Sequence, residues 1–291
     1  MAIASSRSEA SEQQRYLGPA LLLLAALLWS LGGVLIKSIN RHPMAVAGLR
    51  SAIAIPVIVA CIGWPKFTFS RAQIGGAIGY AATVALFVFA TRMTTAANAI
   101  FLQYTAPIYV AIFGRWYLGE RAFPIDWLII GVALGGIALF FMDRLTLSGF
   151  WGNIIALGSG LAFASVAIFL RKEKAGSPIT SIVLGNIIVA LAGVPFFLGT
   201  SLTHGNGWRL LLLGAVQLGL PYVLYAAAIK YVTALEATVI PLIEPILNPL
   251  WVMLALGERP GRWAIVGAIL VLAAVLTRGA LMIRERRSVS R

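Results

Sequence analysis

Apolar residues recur along this chain in runs too long for helices buried in a soluble core. Residues 16–36, 72–91, 93–114, 145–170, 175–208 and 210–229 each contain no Asp, Glu, Lys or Arg. A helix needs about 20 mostly apolar residues to cross the hydrocarbon of a bilayer, and the chain supplies such runs repeatedly. With charges, Pro and Gly taken as breaks, the pattern predicts ten transmembrane helices. They fall near residues 17–37, 44–64, 72–91, 96–116, 124–142, 149–170, 179–199, 208–229, 234–256 and 262–283. The expected fold class is therefore an all-α integral membrane protein, with connections too short to carry a soluble domain. The polar, Ser-rich residues 1–16 and residues 286–291 are expected as cytoplasmic tails. The Leu-rich run from Leu17 continues to Ile36 with no small-x-small cleavage site, so it reads as a first span rather than a signal peptide.

Composition agrees: 60% of residues are hydrophobic and 11% charged, against roughly 45–50% and 25% in soluble domains. Lys and Arg outnumber Asp and Glu by 23 to 10, a net charge of +13. In a soluble protein that excess would suggest nucleic acid; here the charges lie between apolar spans, where basic residues mark the cytoplasmic side. With both termini inside, 15 basic residues fall on the cytoplasmic side and 8 outside, so both termini are expected to be cytoplasmic. The chain has one cysteine, Cys61, and two histidines, His42 and His204, in polar breaks. No metal site and no cofactor is expected from such a set.

An internal repeat decides the architecture. Leu118-Gly119-Glu120-Arg121 recurs as Leu256-Gly257-Glu258-Arg259, an offset of 138 residues. In the same register Arg92 meets Lys230, Thr95 meets Thr233, Ala99 meets Ala237 and Pro107 meets Pro245. After a two-residue deletion, Trp127 and Gly131 meet Trp263 and Gly267. The chain thus reads as two five-helix repeats, 17–145 and 146–285. An odd number of spans per repeat forces the second to enter the membrane inverted. Inverted repeats are a signature of alternating-access transporters, with the substrate near the midplane between the halves.

At this point the chain resembles a known family. Trp29-Ser30, Lys37, Pro43 and Arg50 resemble the opening of an EamA repeat. The two helices centred on Pro107 and Pro245 and ending in Gly-Glu-Arg resemble its close. The likeness, to the drug/metabolite transporter superfamily, covers essentially the whole chain after residue 16. Within it the chain is most similar to the YddG-type aromatic amino acid exporters. The resemblance implies export of amino acids, aromatic and other neutral ones over a broad range, across a bacterial inner membrane. Superfamily relatives also carry nucleotide sugars, phosphorylated metabolites or drugs, which is the alternative reading. No mid-depth cluster of Lys or Arg favours phosphorylated cargo. The second repeat departs from the pattern, opening with Phe163-Ala164 in place of Trp-Ser.

Intramembrane polar residues are costly and point to function. Glu244 is the acidic residue nearest mid-span, and its repeat mate is Ala106. It would hold a substrate ammonium or a transported proton, or else serve as a structural carboxylate, paired with Arg50 or Lys37 or simply protonated against a neighbouring helix. The third span places Tyr80, Thr83 or Val84, Phe87 and Thr91 on one face at helical spacing. Its repeat mate offers Leu218, Pro221 with Tyr222, Tyr225 and Ile229, and the first span offers Trp29. Together these would wall an apolar, aromatic site, or simply pack. Gln103 and Asn98 flank Pro107, and Asn248 precedes Pro249. Prolines free backbone carbonyls, so these amides would hold a zwitterion or re-satisfy a bent helix. The substrate-binding set is therefore Trp29, Tyr80, Thr83, Phe87, Gln103, Tyr222, Tyr225, Glu244 and Asn248. Gly75-x-x-x-Gly79 and Gly131-x-x-x-Gly135 are expected at close helix crossings. Glu120-Arg121 and Glu258-Arg259 read as end caps or interhelical ion pairs. Catalytic motifs are missing: Gly32-Gly33 before Lys37-Ser38 lacks the second Gly of a phosphate loop. The expected partners are thus an amino acid, the lipid bilayer and, if export is proton-driven, protons; no nucleic acid and no enzymatic role is expected.

Overall fold

In the computed structural model, residues 2–140, 142, 149–198, 204–247 and 262–289 are described, and among them there are helices and no strands. The first half comprises α1 (Ala2–Trp29), α2 (Gly32–Ser38), α3 (Pro43–Ile62), α4 (Arg71–Met93), α5 (Ala96–Gln103), α6 (Ala106–Leu118) and α7 (Pro124–Phe140). The second begins with α8 (Phe150–Lys172) and α9 (Pro178–Phe197). Next, α10 (His204–Leu211) runs through π-helical turns, Leu212–Gly219, into α11 (Leu220–Ala228). A short α12 (Ala234–Val239) tightens into a 3-10 turn, Ile240–Ile243, and α13 (Arg262–Val289) closes the chain.

Helix starts follow local chemistry. The Ser70 hydroxyl accepts from the Gln73 amide and Thr95 from the Asn98 amide, both at 3.0 Å. Thr233 and Glu236 close a reciprocal capping box. At the other end of α6, Gly119 takes a left-handed conformation, φ 74°, that favours glycine. One expectation is revised: helix α1 already starts at Ala2, ahead of the apolar run. Ala, Glu, Gln and Arg in this stretch are good helix formers, and elongating a nucleated helix is easier than starting one.

Among the described residues seven helical segments are long and apolar enough to cross a membrane: Pro43–Ile62, Arg71–Met93, Ala96–Leu118, Phe150–Lys172, Pro178–Phe197, Gly207–Ala228 and Arg262–Glu285. Tyr16–Trp29 and Pro124–Phe140 are shorter apolar helices. The expected segment 234–256 runs beyond the described residues after Leu247, so Asn248, Pro249, Glu258 and Arg259 lie outside them. Tryptophans support a lipid-facing exterior. Trp64, Trp116, Trp151 and Trp208 are 85, 75, 68 and 55% exposed near helix ends, where aromatic belts meet lipid headgroups. Trp29 is the buried one among the described tryptophans, at 7%.

Packing obeys an exchange of halves. Helix α4 lies along α8 as α11 lies along α1; α4 meets α9 as the π-helical turns meet α3; α3 pairs with α9, and α7 with α13. The self-paired crossings bring glycine to glycine. A Cβ on Gly48 would stand 2.8 Å from the Gly193 Cα, and one on Gly136 would stand 2.9 Å from the Gly267 carbonyl oxygen. Gly75 and Gly79 do face α8, under the Phe169 ring and the Ser165 hydroxyl. Gly131 and Gly135 face open space instead, so Gly136 makes the close crossing of α7.

Candidate functional site

Between the halves lies a crevice lined by Trp29, Arg50, Thr83, Val84, Phe87, Gln103, Tyr104, Phe163, Gln217, Leu218, Tyr222 and Glu244, with a free volume of about 50 Å³. Four interrupted segments contribute to it, beside Arg50 on α3, Thr83, Val84 and Phe87 on α4 and Phe163 on α8. Trp29 ends α1, just before the break at Ser30-Leu31. Tyr104 sits at the break between α5 and α6, where Pro107 cannot continue the hydrogen-bond ladder. Gln217 belongs to the π-helical turns preceding Pro221, and Glu244 follows the 3-10 turn entered at Pro241. In membranes such irregular backbone occurs where it is buried in protein or lines a cavity. Discontinuous helices near the midplane are the usual substrate-holding elements of transporters.

One wall is aromatic. The Trp29 ring meets Phe163 edge-on at 5.9 Å, and Tyr222 at 5.0 Å. Tyr80 and Tyr225 stand behind this wall rather than in it, both fully buried. Tyr80 packs edge-on against Tyr222 at 4.7 Å and donates its hydroxyl to the Asn186 Oδ1 at 3.1 Å. Tyr225 packs against Trp29 at 5.4 Å. Their role in the structure is to fix the orientation of the rings that do line the crevice.

The polar groups are arranged asymmetrically. Glu244 accepts a hydrogen bond from the Tyr104 hydroxyl, across the boundary between halves. Among the described residues no Lys or Arg lies within ion-pair distance of it, so the expected pairing with Arg50 is not formed. The Lys37 side chain lies outside the described residues. Arg50, 2% exposed, instead donates to the Gln217 Oε1 at 3.4 Å and to the Val84 carbonyl at 3.3 Å. Gln103 donates to the Ser159 hydroxyl at 2.8 Å, and Thr83 donates to the Gly79 carbonyl at 2.7 Å. Asn98 bonds away from the crevice, to the Asn153 Oδ1 at 2.9 Å. The carbonyl freed by Pro107 is that of Gln103, and it faces Gly160, where a Cβ would stand 2.8 Å away. It braces the α5–α8 contact rather than opening on the crevice. No His, Cys, Asp or Glu cluster among the described residues could hold a metal ion.

Six of the nine expected binding residues line the crevice: Trp29, Thr83, Phe87, Gln103, Tyr222 and Glu244. Asn248 lies outside the described residues. Val84 and Leu218 lie on the two faces read from the helical spacing, and Tyr104, Phe163 and Gln217 are additions to the expected set. An intramembrane glutamine in the run 210–229 is a legible signal for Gln217; nothing in the pattern marks Tyr104 beyond its closeness to Pro107.

At the end carrying loops 63–71, 118–124, 172–178 and 229–234, polar contacts tie the halves together. Glu120 pairs with Arg171 at 2.8 Å and accepts from the Ala234 amide at 2.9 Å, so the Gly-Glu-Arg block does make an interhelical ion pair. Glu173 accepts from the Ser70 hydroxyl at 2.6 Å and from Ser181 at 3.1 Å. Buried Asp126 and Glu236 share Arg278, at 3.4 and 3.2 Å. Burial alone therefore does not single out Glu244, and Glu173 too has only hydroxyl partners; Glu244 is set apart by standing without a cationic partner on the crevice wall.

An apolar helical bundle of two exchange-related halves, with interrupted helices converging on a crevice between them, defines a membrane transport protein. The sequence pattern of the EamA-like transporter family matches residues 16–142 and 150–277, and the chain belongs to that family, within the drug/metabolite transporter superfamily. It is 26% identical over 272 residues to the pseudopaline exporter CntI of Pseudomonas aeruginosa, covering 89% of this chain and 94% of that one. It is 25% identical over 272 residues to the threonine/homoserine exporter RhtA of Escherichia coli, covering 87% of this chain and 88% of that one. A crystal structure 16% identical superimposes with a TM-score of 0.76 over 92% of this chain and 98% of the other, a likeness of fold alone.

Proposed function

We propose that this protein is a secondary exporter of amino acids, aromatic and other neutral ones over a broad range, working by alternating access in a bacterial inner membrane. Ten spans in two inverted five-helix repeats, with both termini cytoplasmic, are the proposed topology. The observation that carries the reading is the crevice itself. An aromatic wall of Trp29, Phe163 and Tyr222 stands beside a few polar groups, Glu244, Arg50 and Gln217, which suits small solutes with one apolar and one ionic end. The similarity to an exporter named for threonine and homoserine supports the amino acid class. The similarity to a pseudopaline exporter supports the second reading, export of another small metabolite.

Alternating access needs the crevice to widen, since about 50 Å³ is room for only a few waters. The polar ties Glu120–Arg171 and Ser70–Glu173 would then break and re-form between states. Two drives are distinguishable. Passive facilitation needs no ion site, whereas proton antiport would use Glu244 as the carrier. The test is uptake into liposomes from a panel of amino acids, nucleotide sugars and organic cations, with and without a pH gradient. Saturable uptake of neutral amino acids is the expected result. Uptake of only the other classes would replace the substrate assignment, and loss of the pH dependence in Glu244→Gln alone would identify the proton carrier.

A further inference from the structure

The crevice holds two oppositely charged side chains that do not meet. Glu244, from the second half, takes its one described hydrogen bond from Tyr104. Arg50, from the first half, is held by a glutamine oxygen and a backbone carbonyl at 3.4 and 3.3 Å. Its Nε is buried without a hydrogen-bond partner, and no carboxylate lies within 4.0 Å of it among the described ion pairs. A guanidinium stays protonated in proteins, and inside a membrane bundle such a cation is retained for a partner or a pathway. Elsewhere this chain gives a buried arginine carboxylate partners: Arg278 stands 3.4 Å from Asp126 and 3.2 Å from Glu236, although its Nε also lacks a hydrogen bond. Arg50 has been left without such an anion, at the wall of the crevice.

The geometry points to a zwitterion clamp, in which Arg50 receives the substrate's α-carboxylate while Glu244 receives its α-ammonium. This deepens, and rests on, the amino acid reading of the same crevice. The guanidinium fork matches a carboxylate bidentately, and Gln217, which also donates to the Trp29 carbonyl at 3.4 Å, holds that fork on the π-helical turns. The aromatic wall lines the same crevice, and the substrate's side chain would sit against it. Because the clamp spans the halves, a bound zwitterion links them, and a molecule with only one charged end does not.

Competition measures this directly. Proteoliposomes of the wild-type protein take up labelled L-phenylalanine, L-leucine or L-threonine against a series of unlabelled competitors. The series contains each amino acid, its amide (no carboxylate) and its des-amino acid (no ammonium). Amides and des-amino acids are expected to compete about ten- to a hundredfold less well than the amino acids, the worth of a charge-assisted hydrogen bond. Arg50→Gln is expected to erase the discrimination against amides, and Glu244→Gln that against des-amino acids, each leaving the other intact. Arg50→Lys is expected to restore part of it. Wild-type uptake inhibited equally by amino acids and amides overturns the clamp and leaves amino acid export standing. Absence of uptake for all three amino acids overturns both.

Discussion

The α4–α8 and α1–α11 contacts are exchanged by swapping the halves, yet they are built differently. Helices α4 and α8 are each unbroken over 23 residues. Glycines on both let them lie close from one end to the other: Gly75 under Phe169, Gly79 under Ser165, Gly152 against the Met93–Thr94 backbone. Along the mate contact, α1 stops at Trp29 and the chain resumes its helix at Gly32, while α11 is entered through π-helical turns. Of the crevice residues, Trp29, Gln217, Leu218 and Tyr222 belong to this broken pair, and Thr83, Val84, Phe87 and Phe163 to the straight one. The repeat supplies an architecture in which each crossing has a counterpart; the site lies between a straight contact and its broken counterpart and takes residues from both. Trp29 and its mate Phe163 illustrate it, since the two non-identical equivalents meet each other edge-on across the crevice.

The largest effect is expected in the straight pair. A Cβ on Gly152 would stand 2.6 Å from the Met93 carbonyl carbon and 2.7 Å from the Thr94 nitrogen, both backbone atoms that cannot rotate away. Gly152→Ala should cost about 1–3 kcal/mol, the range for overpacking, read as a lowered melting temperature in detergent. Tyr104→Phe should come next. It removes the hydroxyl given to Glu244, at a cost of about 1 kcal/mol in stability, with a larger fall in uptake because the carboxylate loses its orientation. The smallest stability change is expected at Gly32, where an added Cβ would stand 2.6 Å from the Gln217 Nε2, the movable end of a side chain. The gain of about 1 kcal/mol from replacing Gly by Ala in a helix offsets that adjustment. Gly32→Ala should therefore melt as the wild type does but transport less, because displaced Gln217 no longer steadies Arg50. Equal destabilisation by Gly152→Ala and Gly32→Ala would remove the distinction between the straight and the broken contact.

Hydrophobic runs make the helices legible because membrane spans must satisfy their own backbone, so the expected 72–91 and the observed Arg71–Met93 nearly coincide. The four-residue Leu-Gly-Glu-Arg block makes the repeat legible. The helix breaks are less so, since a π-helical turn at Leu212–Gly219 leaves the hydrophobic count of a segment unchanged. That is why the pattern passes over Gln217 and sets Tyr80 and Tyr225 one layer too far forward: helical spacing identifies a face, not how much of it a neighbour covers. Arg50 reads only as a partner for Glu244, and sequence carries no distance with which to separate them. Phe163 reads as a flaw in the repeat, although the wall needs a ring there.

In the proposed topology the second half sits in the membrane upside down relative to the first. In a Cys61→Ala background, single cysteines replacing Arg121 and Arg259, at identical positions of the two Leu-Gly-Glu-Arg blocks, can be probed in intact cells with an impermeant thiol reagent. The account predicts that the cysteine at 259 is labelled from outside, and that the one at 121 is labelled only after the cells are opened. Labelling of both from the same side would contradict the inverted repeat and, with it, a transport site shared between the halves.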